Sequence, residues 1–209
     1  MTKPAETPVL SLLALFVRMS RIRGMKSVSH IFGGEGKVKI MRLFIFNPRQ
    51  NFDTLSIATR VKENPRTVRR ELKVLIKAGL IRKRPRGYIL DEGYPYLKAL
   101  QNFMIDAAPL ANKDLVRRLS KAGIIKLVLI SGVFIHDPES RVDLLVVGDN
   151  LKKNTLISAI ASIEAELGKE LRYAAFETVD FKYRIGVYDK LVRDILEYPH
   201  EKILNKLGL

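Results

Sequence analysis

Apolar residues recur at helical spacing over Val9, Leu12, Leu13, Phe16 and Met19, and Leu10, Leu15 and Val17 widen that face. The pattern predicts a first helix too apolar to stand alone in water, one that packs on a domain or on a second copy of itself. Gly33-Gly34-Glu35-Gly36 breaks the pattern and reads as a hinge or tight loop. Lys37 to Phe46 reads as a helix with Val38, Met41 and Ile45 on one face, and Asn47-Pro48 stops it, because a residue before proline avoids the helical region. Leu55 to Val61 is a second short helix, capped by Asp53 or Thr54. Asn64-Pro65 opens a third, which runs to about Ala78 and closes on Gly79. Leu80-Ile81 then begins a strand, Arg82 to Gly87 forms a basic turn, and Tyr88-Ile89-Leu90 returns as the second strand of a hairpin. Tyr94 to Ala107 has the spacing of a linking helix with Leu97, Leu100, Phe103 and Met104 inward.

From Asp114 onward the pattern changes. Leu115 to Ala122 reads as a helix, Ile125 to Ile130 and Val142 to Val147 as nearly continuous apolar strands, and Leu171 to Phe176 as a weaker third strand. Thr155 to Leu167 returns to helical spacing through Leu156, Ile157, Ile160, Ile163 and Leu167. Thr178 reads as the N-cap of a further helix, Asp189 to Leu196 as another, and Tyr198-Pro199 as its end. Apolar strands separated by helices imply a covered sheet. The expected organisation is α+β in four stretches. These are an apolar and basic helix with a Gly-rich hinge over 1–36, three helices and a hairpin over 37–92, a linking helix over 93–112, and an α/β domain over 113–209.

Charge sharpens this division. The 209 residues carry 37 Lys+Arg against 22 Asp+Glu, a formal net charge of +15. Residues 37–90 hold 15 basic side chains against Asp53, Glu63 and Glu71, a net +12, whereas residues 91–209 balance at 17 of each sign. A strongly basic unit joined to a neutral one points to a polyanion bound by the first. The chain has no Cys, which excludes disulfides, thiolate zinc sites and cysteine nucleophiles. Val9 to Val17 falls well short of the roughly 20 apolar residues of a membrane span. It is preceded by Lys3 alone and runs into Arg18, Arg21 and Arg23, unlike a signal peptide. The expected location is cytoplasmic, with no membrane partner.

The third helix carries the candidate chemistry. Val68, Leu72, Leu75 and the following Leu80 fall on one side, while Arg66, Arg69, Arg70, Lys73 and Lys77 recur at three and four on another. A helix fits the major groove of a duplex, with its N-terminal residues at base edges and flanking cations at phosphates. Arg66, Thr67, Arg69 and Arg70 are therefore the base-proximal candidates. Arg82, Lys83, Arg84 and Arg86 sit at the hairpin turn, within reach of backbone or minor groove. The run Ser56-Ile57-Ala58-Thr59-Arg60-Val61, then Pro65 to Lys77 and Ala78-Gly79-Leu80-Ile81, resembles the helix-turn-helix and wing of winged-helix transcriptional regulators. That resemblance implies binding of double-stranded DNA, commonly as a homodimer on two half-sites. The apolar stretch from Val9 to Met19 offers a pairing surface.

In the second half, Leu127 to Gly132 followed by Ser140-Arg141-Val142-Asp143 and Leu144 to Val147 resembles the minimal nucleotidyltransferase fold. That family places Gly-Ser after a strand and a pair of metal-binding acids on the next, with a third acid on a later strand. Here Ser131-Gly132 replaces Gly-Ser, Arg141 stands where the first acid belongs, only Asp143 remains, and Leu171 to Phe176 holds no acid. The resemblance then implies a vestigial site of Ser131, Gly132, Arg141 and Asp143, with no catalytic residue, metal or cofactor. The domain is left for scaffolding, dimerisation or sensing of a nucleotide or protein ligand. The competing readings are an active nucleotidyltransferase that holds nucleic acid through its basic unit, which the missing acids oppose, and an RNA-binding module. His30, His136 and His200 lack ligand spacing, and Asp137 and Glu139 near Asp143 read as solvated loop acids.

Overall fold

The structure is a computed structural model that describes residues 29–107, 110–135, 137 and 139–209. The apolar stretch from Val9 to Met19, and with it the expected pairing surface, lies outside the described residues, as does His136. The chain is mixed α+β and divides into two compact units: residues up to Ala111 with Glu166–Gly168, and Asn112–Ala165 with Lys169–Leu209. No described helix is long and apolar enough to cross a membrane.

The first unit contains α1 (Glu35–Ile45), α2 (Thr54–Val61), α3 (Pro65–Lys77), β1 (Ile81–Arg84), β2 (Gly87–Leu90) and α4 (Leu97–Asp106). Residues 29–32 are also helical. The expected hinge is shorter than Gly33 to Gly36. Only Gly33 and Gly34 take left-handed backbone (φ 79° and 137°), and Gly36 lies inside the first turn of α1. A Cβ at Gly36 would come within 3.4 Å of the side chains of Glu63 and Thr67, so glycine there lets α1 approach the α2–α3 turn closely.

Both expected caps are present. Asp53 Oδ1 accepts the backbone N–H groups of Leu55 and Ser56 (2.8 and 2.9 Å), and Asn64 Oδ1 accepts that of Arg66 (2.8 Å) with Pro65 in the first helical turn. Lys62 takes the left-handed conformation that ends α2. At the end of α3 the Gly79 N–H reaches the Ile76 carbonyl and the Leu80 N–H the Leu75 carbonyl (3.0 and 3.1 Å). This is the glycine-dependent double bond that satisfies otherwise orphaned helix carbonyls and turns the chain into β1. Val38, Phe44, Ile57, Val61, Val68, Leu72, Leu80, Ile81 and Leu90 form one core, and Met104 of α4 completes it.

The hairpin differs from expectation. β1 runs on through Arg84, so Arg82, Lys83 and Arg84 are strand residues, and the turn is Pro85-Arg86 alone. Ile81 pairs with Leu90 and Arg84 with Gly87. Strand pairing uses only backbone groups, so cations facing water on both sides do not oppose it. The hairpin is also tied to the segment between α1 and α2, because Phe52 and Tyr88 exchange two backbone hydrogen bonds of 2.9 Å. Gly87 (φ 146°) sits at that junction, and a Cβ there would fall on the Phe52 carbonyl. Gly87→Ala is expected to destabilise the first unit by roughly 1–3 kcal/mol, through strain and loss of the Phe52–Tyr88 pairing. Denaturant unfolding checks this, and an unchanged midpoint would show the junction to be yielding.

The second unit contains α5 (Asn112–Leu119), β3 (Ile124–Ile130), a 3₁₀ turn over Gly132–Phe134, β4 (Leu144–Asp149), all but the last two residues of α6 (Lys153–Leu167), β5 (Tyr173–Glu177), α7 (Thr178–Gly186), α8 (Lys190–Glu197) and β6 (Glu201–Asn205). Its sheet has the order β5-β4-β3-β6, with β4–β5 parallel and the other pairs antiparallel. Opposed residues Leu127 and Val147, and Leu129 and Leu145, share one face and pack with Phe181 of α7 and Val192 and Ile195 of α8. Strand β6 was not expected; it pairs with β3 beyond the Tyr198-Pro199 break. Thr178 is not the cap of α7: Glu177 holds that position and Thr178 is already helical. Asp189, expected as the first residue of its helix, is instead the N-cap of α8, accepting the Val192 N–H at 3.1 Å.

Candidate nucleic-acid interface

The surface of α3 follows from its anchoring. Val68, Glu71, Leu72 and Leu75 are buried, which fixes the rotation of the helix about its axis. At 100° per residue, Arg66, Arg69, Arg70, Lys73 and Lys77 then fall on the opposite side, and all five are exposed. The strip extends roughly 16 Å from Arg66 to Lys77 at 1.5 Å rise per residue. Thr67 is not part of it. It is half-buried at the margin, with its methyl group close to Gly36 of α1. Val74 adds an exposed apolar side chain beside the cations.

The hairpin supplies further exposed cations, but not all four at its tip. Strand alternation puts Arg82 and Arg84 on one face and Lys83 on the other, and only Arg86 lies in the turn. Arg82 Nε is 3.3 Å from the Asp91 carboxylate at the base of the hairpin.

The net +12 of this region is thus distributed unevenly. Arg42 is buried and donates to the Ala107 carbonyl, and burial lowers its guanidinium to about 10, leaving it charged at neutral pH. Lys39 pairs with Glu63 at 2.9 Å, and Lys37 with Glu71 at 3.4 Å. Arg70 also pairs with Glu71. By contrast, no described carboxylate lies within ion-pair distance of Arg66, Arg69, Lys73, Lys77, Lys83, Arg84 or Arg86. Unpaired surface cations of this kind carry the counterion-releasing charge that attracts a polyanion.

In the second unit the residues of the expected vestigial site meet at one end of the sheet, and each is engaged by the protein itself. Asp143, 1% exposed, accepts four donors. The Val133 N–H (3.0 Å) and Arg172 Nη2 (3.3 Å) reach Oδ1, and the Arg172 N–H (2.8 Å) and Nε (3.2 Å) reach Oδ2. Gly132 takes φ 53°, and a Cβ there would collide with Asp143 Oδ1. Arg141 Nη1 is 2.9 Å from the buried Asp194 of α8. The Ser131 hydroxyl donates to the Pro199 carbonyl (2.6 Å) and lies 2.9 Å from Ser140 Oγ, which donates to the Val142 carbonyl (2.7 Å). Both oxygens of Asp143 are occupied by donors, so a cation held there would have to displace Arg172.

Arg172, Asp194 and Glu71 are the residues that reasoning from sequence missed. The strand Leu171 to Phe176 holds no acid, and its cation, Arg172, is the residue that engages Asp143. Among the described residues no three His, Asp or Glu side chains converge as metal ligands. His30 is exposed, His200 Nδ1 lies 2.8 Å from its neighbour Tyr198's carbonyl, and Asp137 accepts the Glu139 N–H at 3.0 Å. Comparison of the chain with protein-family models, curated proteins and solved structures gives no match.

Proposed function

We propose that the first unit binds double-stranded DNA with α3 in the major groove and the β1–β2 hairpin as a wing, making the protein a sequence-specific transcriptional regulator. The observation that carries this is the strip of exposed cations on α3, opposite the face that anchors the helix, of which Arg66, Arg69, Lys73 and Lys77 have no ion-pair partner among the described residues, in a unit whose hairpin also carries exposed cations. The helix offers directional donors near its N-terminus and point charges along its length, a combination suited to base edges and flanking phosphates. The second unit is read as a noncatalytic domain for scaffolding, dimerisation or sensing. Its internally paired Asp143 and Arg141 support that reading.

Selection of duplexes from a random-sequence pool by the full-length protein tests the proposal. The expected result is enrichment of a short motif, bound roughly 10³-fold or more tighter than unrelated duplex. Recovery of the unselected pool composition would oppose sequence-specific regulation. Preferential capture of structured RNA over duplex DNA would reassign the polyanion.

A further inference from the structure

The α3 cations differ in one respect that their spacing conceals: Arg70 is held, and Arg66, Arg69, Lys73 and Lys77 have no ion-pair partner among the described residues. Glu71 lies at the edge of the buried face of α3, its side chain only 7% exposed, while that of Arg70 is 72% exposed. Glu71 Oε1 accepts from Arg70 Nε at 2.9 Å and lies 2.8 Å from Arg70 Nη2. Its second oxygen, Oε2, is 3.4 Å from Lys37 Nζ in the first turn of α1. The carboxylate is thus fixed from two elements and grips one edge of the guanidinium. A guanidinium has five N–H donors in a rigid plane. Glu71 occupies the Nε–Nη2 edge, and the Nη1 end of the fork has no partner among the described residues.

We infer that Glu71 is a positioning residue that makes Arg70 the base-reading side chain of α3, directed at a guanine in the major groove. The inference rests on the duplex-DNA reading above and adds to it a division of labour within the strip. Guanine presents O6 and N7 as paired acceptors, which a guanidinium end fork matches with two parallel hydrogen bonds. Holding Arg70 in one pose removes rotamer freedom before binding, so less is lost when the base is engaged. The same carboxylate cancels much of the charge of Arg70 and leaves it a poor releaser of counterions. Arg66, Arg69, Lys73 and Lys77 lack such a partner and contribute as phosphate contacts. Arg70 therefore contributes to sequence discrimination and little to salt dependence, and Arg69 does the reverse.

The test compares full-length wild type, Arg70→Lys, Glu71→Gln and Arg69→Ala on the duplex selected from a random pool and on single-base variants of it. Arg70→Lys keeps the charge and loses the fork. It is expected to lose a roughly tenfold to hundredfold preference for guanine at one position while its salt slope stays unchanged. Glu71→Gln is expected to weaken the same preference and to steepen the salt slope by up to about one, as Arg70 and Lys37 become unpaired. Arg69→Ala is expected to make the slope shallower by about one with the preference intact. A second readout needs no DNA. The Arg70 Nε–H should exchange slowly with water in the wild type and rapidly in Glu71→Gln. Guanine preference surviving in Arg70→Lys, or equally fast exchange in both proteins, would overturn the inference. Salt-dependent duplex binding without a guanine preference removes the inference alone, whereas absence of duplex binding removes the proposed function with it.

Discussion

Replacing Arg66, Lys73 and Lys77 together with glutamine is expected to lower duplex affinity by about 10³-fold near ~0.1 M salt, with little change in stability. Each neutralised phosphate contributes about 0.9 to the log–log salt slope, which amounts to roughly tenfold in affinity per contact at that concentration. All three side chains are exposed and make no described ion pair, so their loss removes charge without breaking internal contacts. Exposed substitutions of this kind cost within about 0.5 kcal/mol of stability. Lowering the salt tightens binding by the variant through the remaining strip and wing cations, but its deficit against wild type widens, because its slope is shallower. A loss of less than tenfold, or one independent of salt, would show that the strip does not face phosphates.

The second large effect concerns stability. Asp143→Ala is expected to destabilise the second unit by about 2–4 kcal/mol and to leave duplex affinity unchanged in the folded protein. The carboxylate accepts four donors in a site with almost no solvent exposure. Arg172 is half-exposed and regains water when released, so its charge is not stranded. The backbone N–H groups of Val133 and Arg172 lose their acceptor in a part-buried site, and a buried donor left without one costs about 1–3 kcal/mol. Urea unfolding followed by probes in each unit should show the transition of the second unit at lower denaturant and that of the first unmoved. A second-unit midpoint equal to wild type would mean that Asp143 is not structural. Metal-dependent transfer of labelled nucleotide that disappears in the same variant would restore an enzymatic role.

The parts of the structure visible in the sequence are those with local causes. Asp53 and Asn64 cap α2 and α3 through hydrogen bonds to residues two or three positions on, and Gly79 ends α3 through its own backbone freedom. The rotation of α3, and hence the exposed strip, followed from the spacing of Val68, Leu72 and Leu75. The parts that escaped depend on partners distant in the chain. Strand β6 is five residues long and begins with Glu201 and Lys202; only its pairing with β3 makes it a strand. Arg82 to Arg84 look like a turn in the sequence, and only their pairing with Ile89, Tyr88 and Gly87 makes them strand residues of β1. Asp143 was recognised as an isolated acid, but its partner Arg172 is 29 residues away. Glu71 looked like one acid among many cations, and its ion pair to Lys37 crosses from α3 to α1.

The measurement closest to the central claim is the salt dependence of duplex binding by the full-length protein, read as the log of affinity against the log of salt between about 50 and 200 mM. With the seven cations of α3 and the wing that lack an ion pair among the described residues engaged, the expected result is a straight line with a slope near −6 at 0.9 per phosphate, made shallower by nearly three units in the Arg66, Lys73 and Lys77 variant. A slope near zero, or a wild-type slope that the triple substitution leaves unchanged, would contradict it.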